Sequence, residues 1–258
     1  METVQETIRP PVHEKVQEPV ITIRHLYKSF GANKVLADFS LELKKGENVA
    51  VLGKSGSGKS VLIKCIIGLL KPDSGEINVL GQPVANLDHD ELDRIRVKVG
   101  FLFQSNALYD SMTVRENLEF PMRRHWIKMT PGESSDRVME TLKNVGLAHT
   151  VDMMPVELSG GMRKRIALAR TLILNPDIML YDEPTTGLDP ITGKEISKLM
   201  MEVGEKYNTS SLIISHDMNC IRATADRIVM LIDGKCYADG SYEELKRNND
   251  PKVKQFFE

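Results

Sequence analysis

The chain has 258 residues, a formal net charge of -2 and 41% hydrophobic residues. That length suits one large α/β domain, or one domain with an inserted subdomain, and is sufficient for a sizeable core. The charge balance provides no basic field over the whole chain, so nucleic acid is disfavoured as the main partner.

No segment has the composition of a signal peptide or a membrane span. Residues 1–19 contain acidic residues and prolines without an apolar core, and we expect them to form a disordered arm. The longest apolar stretch, 61–70, is interrupted by Lys64 and is too short to cross a bilayer. Any work at a membrane would therefore need a membrane partner.

The cysteines indicate a reducing compartment. They are far apart and form no C-x-x-C pair, which favours free thiols over a metal site or disulfides. The three positions are Cys65, Cys220 and Cys236. We expect the first two to be buried, because they lie in apolar or helical contexts.

Two amphipathic strands are predicted near the start of the folded region. Residues 20–30 and 35–43 alternate apolar and polar side chains around a turn at 31–33, which is typical of an antiparallel hairpin. Phe30 ends the first strand. An aromatic ring there could stack on a purine base, although a lone aromatic residue is more often part of the core.

Residues 53–60 read GKSGSGKS and fit the phosphate-binding loop G-x-x-x-x-G-K-[ST]. A short apolar strand, 48–52, precedes the loop and an apolar helix, 61–70, follows it, which is the context that the motif requires. Glycines let the backbone amides wrap a polyphosphate, and the helix N-terminus adds partial positive charge. The stretch predicts a nucleoside triphosphate site.

Each position of this loop has an expected part in binding. Lys59 can reach the β- and γ-phosphates, and the Ser60 hydroxyl can bind Mg²⁺. The other loop positions expected to contact the nucleotide are Gly53, Lys54, Ser55, Gly56, Ser57 and Gly58.

The acidic run at 86–93 has two interpretations. It could supply metal ligands, but an N-capped, solvated first turn of a helix is favoured. A buried strand is then predicted at 97–103, ending at Gln104. A glutamine at the end of a central strand can reach a metal or an attacking water, or it can be an ordinary loop residue.

Residues 105–175 show no strand pattern and are predicted to form a helical subdomain inserted into the α/β frame. Thr113 and Glu116 have the spacing of a capping box, and a second helix is predicted at 131–147. Basic residues at 123–128 surround Trp126. A membrane or partner contact is conceivable there, but a solvated helix end is favoured.

The sequence LSGGM at 158–162 precedes a helix predicted at 163–174. Ser159, Gly160 and Gly161 at a helix start could form a second anion site. The alternative is a plain N-cap.

Carboxylates and a histidine follow two later strands. Asp182 and Glu183 end the apolar strand 177–182, and His216 follows the strand 211–215. In a phosphate-loop protein Asp182 is expected to hold Mg²⁺. No sequence neighbour offers Glu183 a cation, so we expect it to be free to orient or deprotonate a water. The functional interpretation is also favoured for His216.

The order of these motifs along the chain resembles that in the ATP-binding-cassette ATPases. The matches span residues 20–240. The matching residues are Phe30, GKSGSGKS, Gln104, LSGGM, IMLYDEP, GLDP and His216. The resemblance implies an α/β phosphate-loop fold with a mostly parallel central sheet, an antiparallel β subdomain and the helical insert. The cassette would cover 20–247, followed by a tail at 248–258.

The resemblance also implies roles for individual residues. Two ATP molecules with Mg²⁺ would lie in a head-to-tail dimer, each between one phosphate loop and the partner's residues 159–161. Gln104 and Asp182 would complete the metal shell, Glu183 would be the general base and His216 the γ-phosphate sensor. Asp189 would communicate between sites. Val61 stands where the family often has a hydroxyl residue, which leaves a side-chain contact to the α-phosphate in doubt.

Several shorter motifs resemble one branch of that family, the ATPases of Mla/Mce-type phospholipid transporters. This resemblance rests on Met162 in place of the common glutamine, the sequence GKSVLIK at the end of the loop, residues 188–192 (LDPIT) and the tail at 250–256. It implies an integral permease, an Mce-type lipid-binding partner and a place at the cytoplasmic face of the inner membrane. An importer of polar solutes, such as amino acids, and a soluble ATP-switched regulator are the alternatives.

Overall fold

A computed structural model describes residues 18–125 and 127–257. Strand β1 (Pro19–Phe30) pairs antiparallel with β2 (Asn33–Lys44), which confirms the predicted hairpin. The turn is one residue shorter than predicted, because Asn33 already pairs with Phe30. With β4 (Ser74–Val79) and β5 (Gln82–Pro83) these strands form a sheet in the order β2-β1-β4-β5.

The central sheet has six strands in the order β10-β9-β3-β8-β7-β6. Every neighbouring pair is parallel except β9 and β10, so the predicted mostly parallel sheet is confirmed. The strands are β3 (Asn48–Leu52), β6 (Val99–Leu102), β7 (Ile178–Asp182), β8 (Ser210–Ser215), β9 (Arg227–Ile232) and β10 (Lys235–Gly240).

Helices pack against the central sheet and make up the predicted insert. They are α1 (Lys59–Ile66), α2 (His89–Val97), α3 (Val114–Arg124), α4 (Pro131–Asn144), α5 (Gly160–Leu172), α6 (Pro190–Tyr207), α7 (Met218–Thr224), α8 (Tyr242–Lys246) and α9 (Pro251–Lys254). In the described part of the chain, none of them is long and apolar enough to cross a membrane.

The helix ends differ from the sequence expectations for local reasons. Helix α1 ends at Ile66 rather than residue 70, because Gly68 adopts a left-handed conformation with φ 66°. Helix α5 begins at Gly160 rather than Arg163, because the hydroxyl of Ser159 caps it. Helix α2 extends to Val97, so strand β6 starts two residues later than predicted.

Side-chain capping of two helices agrees with the sequence. Thr113 and Glu116 form the predicted capping box of α3, with each side chain bonded to the other residue's backbone amide. The acidic run at 86–93 supplies the capping box of α2 through Asp88 and Glu91. Trp126, the aromatic residue of the basic stretch, lies outside the described residues.

Alternate residues of each central strand face different layers of the core. In β7, Ile178 and Leu180 pack toward the antiparallel sheet, whereas Met179 and Tyr181 pack toward the inserted helices. Because both faces are covered, the strand reads as a continuous apolar run. Cys65 and Cys220 are buried free thiols, as expected.

The segment after α8 packs against the body of the domain. Val253 is buried, and Phe256 and Phe257 contact the cluster that includes Ala50 and Leu52 of β3. The ring of Phe257 also lies 5.5 Å from that of Tyr242, centroid to centroid. This segment therefore contributes to the part of the core that packs against Ala50 and Leu52.

Shortening a core leucine should destabilise the protein strongly. Leu180 is fully buried, so Leu180→Ala should lower the free energy of unfolding in urea by about 2–5 kcal/mol through lost burial and a residual cavity. The matched change Leu69→Ala removes a side chain that is 55% exposed and should cost less than about 0.5 kcal/mol. Equal losses for the two variants would contradict the described core.

Candidate active site

Four neighbouring strands end at one edge of the central sheet, and each delivers a predicted site residue there. The loop 53–60 follows β3, His216 follows β8, Asp182 and Glu183 end β7, and Gln104 follows β6. Because β3, β8, β7 and β6 are adjacent and parallel, their carboxyl ends lie side by side. The topology thus gathers residues that are far apart in sequence.

The glycines of the loop are required by backbone shape and by close packing. Gly56 and Gly58 have φ values of 78° and 102°, which side chains rarely tolerate. A Cβ on Gly53 would come within 2.8 Å of the carbonyl oxygen of Leu231, and one on Gly58 within 2.7 Å of a methyl group of Val35. The loop therefore fits against its surroundings only with glycine at these positions.

Lys59 folds back over the loop that carries it. Its Nζ donates to the carbonyl oxygens of Gly53 at 2.8 Å and Lys54 at 3.0 Å. The side chain is only 7% exposed, and burial lowers the pKa of its ammonium while the carboxylates of Glu183 and Asp182 act to raise it. Lys59 is thus a buried cation that faces two carboxylates.

Ser60 and Asp182 form an oxygen pair that suits a hard divalent cation. The Ser60 hydroxyl donates to Oδ1 of Asp182 at 3.3 Å. Burial raises the pKa of the Asp182 carboxyl, and the nearby charge of Glu183 raises it further, against the lowering effect of the Ser60 hydrogen bond. A hydroxyl oxygen beside a carboxylate whose negative charge is only partly offset by its neighbours provides ligands that suit Mg²⁺.

Glu183 is not free of cationic partners, which corrects the sequence expectation. Its Oε1 lies 3.9 Å from Nζ of Lys59, and its Oε2 lies 2.8 Å from Nδ1 of His216. The hydroxyl of Thr186 also donates to Oε2, at 3.2 Å. These contacts come from other strands or from the following turn, so sequence adjacency could not reveal them.

The backbone of Glu183 is held in an uncommon conformation. Its φ of 50° lies in the left-handed region, and its amide donates to the carbonyl oxygen of Ile214 at 2.8 Å. Strained non-glycine residues of this kind concentrate at functional sites. This conformation and the hydrogen bond to Ile214 hold Glu183 directly after the end of β7.

Ser159, Gly160 and Gly161 lie at the start of α5. The Ser159 hydroxyl accepts from the amide of Met162 at 3.2 Å, so it acts as an N-cap. A Cβ on Gly160 would meet nothing within 4 Å, whereas one on Gly161 would come within 2.7 Å of a methyl carbon of Thr192. Among the described residues, no hydrogen bond joins this turn to loop 53–60 of the same chain.

Asp189 is exposed and caps helix α6. It accepts from the amides of Ile191 and Thr192 at 3.1 Å and from the Thr192 hydroxyl at 2.6 Å. These hydrogen bonds, led by the Thr192 hydroxyl, lower the pKa of its carboxyl. The residue is thus fixed at the turn that follows the Asp182–Glu183 pair.

The remaining predicted positions are Phe30, Gln104 and Val61. Phe30 is 48% exposed at the end of β1, with the Lys28 ammonium 5.5 Å from the centre of its ring. Gln104 is exposed, and its main-chain oxygen accepts from Lys164. Val61 packs against the core cluster on the antiparallel-sheet side.

Sequence reasoning missed several polar residues near the site. Thr186 contacts Glu183, while Lys164 and Arg170 bind the main chain of the segment after β6. Lys164 stands in a run of three basic residues, 163–165, and nothing in that run shows which one is buried. A helical projection with period 3.6 would have singled it out, because it shares a face with apolar Ala167 and Leu168.

Fold and site together define a phosphate-loop nucleotide hydrolase. Its parts are a glycine loop at a helix start, a buried lysine and two carboxylates at the end of a parallel strand of the same sheet. The sequence profile of the ABC transporter family matches residues 36–186, and the chain belongs to that family. It is an ATP-binding subunit of an ABC transporter, and it hydrolyses ATP.

Relatives of known name support this assignment. The probable ribonucleotide transport ATP-binding protein mkl of Mycobacterium leprae is 41% identical over 236 residues, 92% of this chain and 68% of that protein. The intermembrane phospholipid transport system ATP-binding protein MlaF of Haemophilus influenzae is 37% identical over 241 residues, 93% of this chain and 91% of that protein. This chain spans about two thirds of the mycobacterial proteins.

Two further similarities concern cargo and structure. The methionine import ATP-binding protein MetN of Campylobacter jejuni is 35% identical over 252 residues, 92% of this chain and 75% of that protein. A dimeric, post-hydrolysis structure of the ATP-binding cassette MJ0796 with ADP and phosphate has a TM-score of 0.78 and 35% identity. It covers 86% of this chain and 98% of its own.

Removing the buried ammonium should abolish nucleotide hydrolysis. Lys59→Met deletes the cation that faces Asp182 and Glu183, and we expect ATP turnover to fall by at least about 100-fold. Lys64→Met changes an exposed lysine of the same helix and should leave turnover within about twofold. Phosphate release at saturating ATP measures both. Similar rates for the two variants would exclude Lys59 from the site.

Proposed function

We propose that this chain is the motor subunit of a transporter that moves phospholipids between membranes. The observation that carries the catalytic part is the convergence of Lys59, Ser60, Asp182, Glu183 and His216 at one sheet edge. The cargo is supported by the similarity to a phospholipid-transport ATP-binding protein over nearly its whole length.

In this proposal the loop 53–60 binds the polyphosphate of ATP. Its amides wrap the phosphates, and Lys59 exchanges loop carbonyl oxygens for phosphate oxygens. Ser60 and Asp182 would hold Mg²⁺, with Gln104 as a further ligand, and the metal would supply positive charge to offset that of the phosphates. The exposed ring of Phe30 stacks on the adenine.

Glu183 acts on the attacking water. Its contact with His216 at 2.8 Å and with Thr186 at 3.2 Å fixes the carboxylate, which leaves one oxygen to accept a water proton. His216, 63% exposed on its side chain, would sense the γ-phosphate. Catalysis then consists of positioning and electrostatic stabilisation of an in-line displacement.

We further propose that the working form is a head-to-tail dimer. The helix start at 159–161 suits an anion, yet no hydrogen bond ties it to loop 53–60 within the described residues of one chain. A second copy would bring its residues 159–161 over the first copy's loop, with Asp189 near the contact between sites. The dimeric cassette MJ0796, with ADP and phosphate bound, supports this arrangement.

The proposed complex contains three kinds of subunit. This chain would sit at the cytoplasmic face of the inner membrane, against an integral permease that works with an Mce-type lipid-binding protein. An amino-acid importer is the second candidate, favoured by the 35% identity to MetN. Both candidates use the same motor, so they differ in the permease and the cargo rather than in the site.

Replacing the proposed base should separate binding from hydrolysis. Glu183→Gln keeps the shape of the side chain but removes its basicity, so ATP turnover should fall by about 100-fold or more while ATP still binds. Light scattering after gel filtration with ATP and Mg²⁺ should then detect a stable dimer. Glu202→Gln, an exposed change on α6, is the control. Unchanged turnover in Glu183→Gln would show that another group acts as base.

The cargo can be tested by isolating the complex. The tagged chain should co-purify from gently solubilised membranes of its host with a multi-pass permease, a lipid-binding partner and phospholipid, identified by mass spectrometry. Recovery with a solute-type permease would favour the importer. Recovery from the soluble fraction alone would favour an ATP-switched regulator and contradict both transporter hypotheses.

A further inference from the structure

The segment 103–113, between β6 and α3, contains no helix or strand, yet side chains hold its backbone. At its far end the fully buried Asn117 accepts from the amide of Tyr109 and donates to the carbonyl oxygens of Tyr109, Met112 and Thr113 at 3.0–3.1 Å. The Asn117 side chain therefore provides this backbone with hydrogen bonds that a neighbouring strand would provide in a sheet.

Helix α5 holds the near end of the same segment. Lys164 Nζ donates to the carbonyl oxygen of Gln104 at 3.0 Å. Arg170, almost two turns further along α5, donates to the carbonyl oxygens of Ala107 at 2.7 Å and Asn106 at 3.3 Å. Two cations of one helix thus bind three carbonyl oxygens directly after β6.

These contacts determine a backbone shape that the local sequence does not favour. Asn106 and Ala107 both have positive φ, 63° and 53°, which is rare for an alanine and persists only where surroundings enforce it. Lys164 is only 2% exposed, and a buried ammonium is tolerated when it is hydrogen-bonded. The backbone conformation of residues 104–107 therefore depends on hydrogen bonds from α5 as well as on the local sequence.

The same helix begins at the turn that we assign to the partner's ATP. Ser159 caps α5, and Lys164 lies about one and a half turns further along it. A helix of this length moves as a rigid body, so a displacement at its first turn also moves the group that holds Gln104. One end of α5 would thus respond to one ATP, and Lys164 would convey the response to the other site.

We propose that Lys164 is a positioning residue of the ATPase reaction, which holds the Gln104 main chain and links its placement to the start of α5. This inference rests on the proposed function, because it assumes that Gln104 serves the metal and the attacking water. Because Lys164 binds a main-chain oxygen of the segment after β6, its removal should affect the rate of hydrolysis and leave the affinity for ATP in place.

Two substitutions of equal side-chain length test the hydrogen bond. Lys164→Met and Lys164→Gln both remove the charge and extend four heavy atoms along the side chain, but only glutamine ends in a group that can donate to the Gln104 carbonyl oxygen. The full-length proteins are compared by phosphate release, by binding of a fluorescent ATP analogue, and by hydrogen exchange of the amides in 103–113.

For Lys164→Met we expect kcat to fall about tenfold, because small misplacements of a catalytic group are costly, with the affinity for the analogue within about twofold of wild type. Exchange in 103–107 should become faster. Lys164→Gln should keep most of the wild-type kcat and most of the wild-type protection from exchange in 103–107. Arg165→Gln, which changes a neighbouring cation paired with Glu195, should match wild type in every measurement.

Equal behaviour of the methionine and glutamine variants would overturn the proposal, whether both match wild type or both are impaired. If Lys164→Met does not fold, Arg170→Met and Arg170→Lys are compared by the same three measurements. Unchanged hydrogen exchange of the 103–113 amides in Arg170→Met would then overturn the proposal. Failure of the proposed function is seen separately, as wild-type turnover that Glu183→Gln does not reduce. The exchange measurement still decides the role of Lys164 in that case.

Discussion

The site depends on one buried ammonium group, that of Lys59. Its Nζ satisfies two carbonyl oxygens of the loop and faces Glu183 at 3.9 Å, so a single cation stabilises the loop and offsets carboxylates from a different strand. Burying Asp182 and Glu183 together without it would leave two like charges close together in a region of low dielectric. The arrangement is a charge-balanced cluster in which a polyphosphate and a divalent cation can replace the internal partners.

The parallel sheet makes this cluster possible. Four adjacent strands deliver the loop, His216, the Asp182–Glu183 pair and Gln104 to the same edge, and each strand is anchored by apolar side chains on both faces. Residues that share an edge in this way keep their relative positions, because the strands between them are close-packed. The strained backbone of Glu183 is tolerated in such a frame.

A second layer of polar contacts joins the inserted helices to the sheet edge. Asn117, Lys164 and Arg170 bind main-chain atoms of the segment after β6, so an irregular stretch is held as firmly as a strand. The inserted helices are thereby connected to the nucleotide site of their own chain. This connection gives a physical route by which events at the start of α5 can affect Gln104.

The sequence alone determined the frame and the chemistry of the site. Periodicity located the strands, and the loop 53–60, the carboxylates after an apolar strand and the LSGGM turn are local patterns whose physics does not depend on distant residues. Tertiary structure decided the pairings. The contacts of Glu183 with Lys59 and His216, and the hydrogen bond from Lys164 to the Gln104 carbonyl oxygen, join residues far apart in sequence. Short-range patterns carry no information on such contacts, because only the order of strands in the sheet brings these residues together.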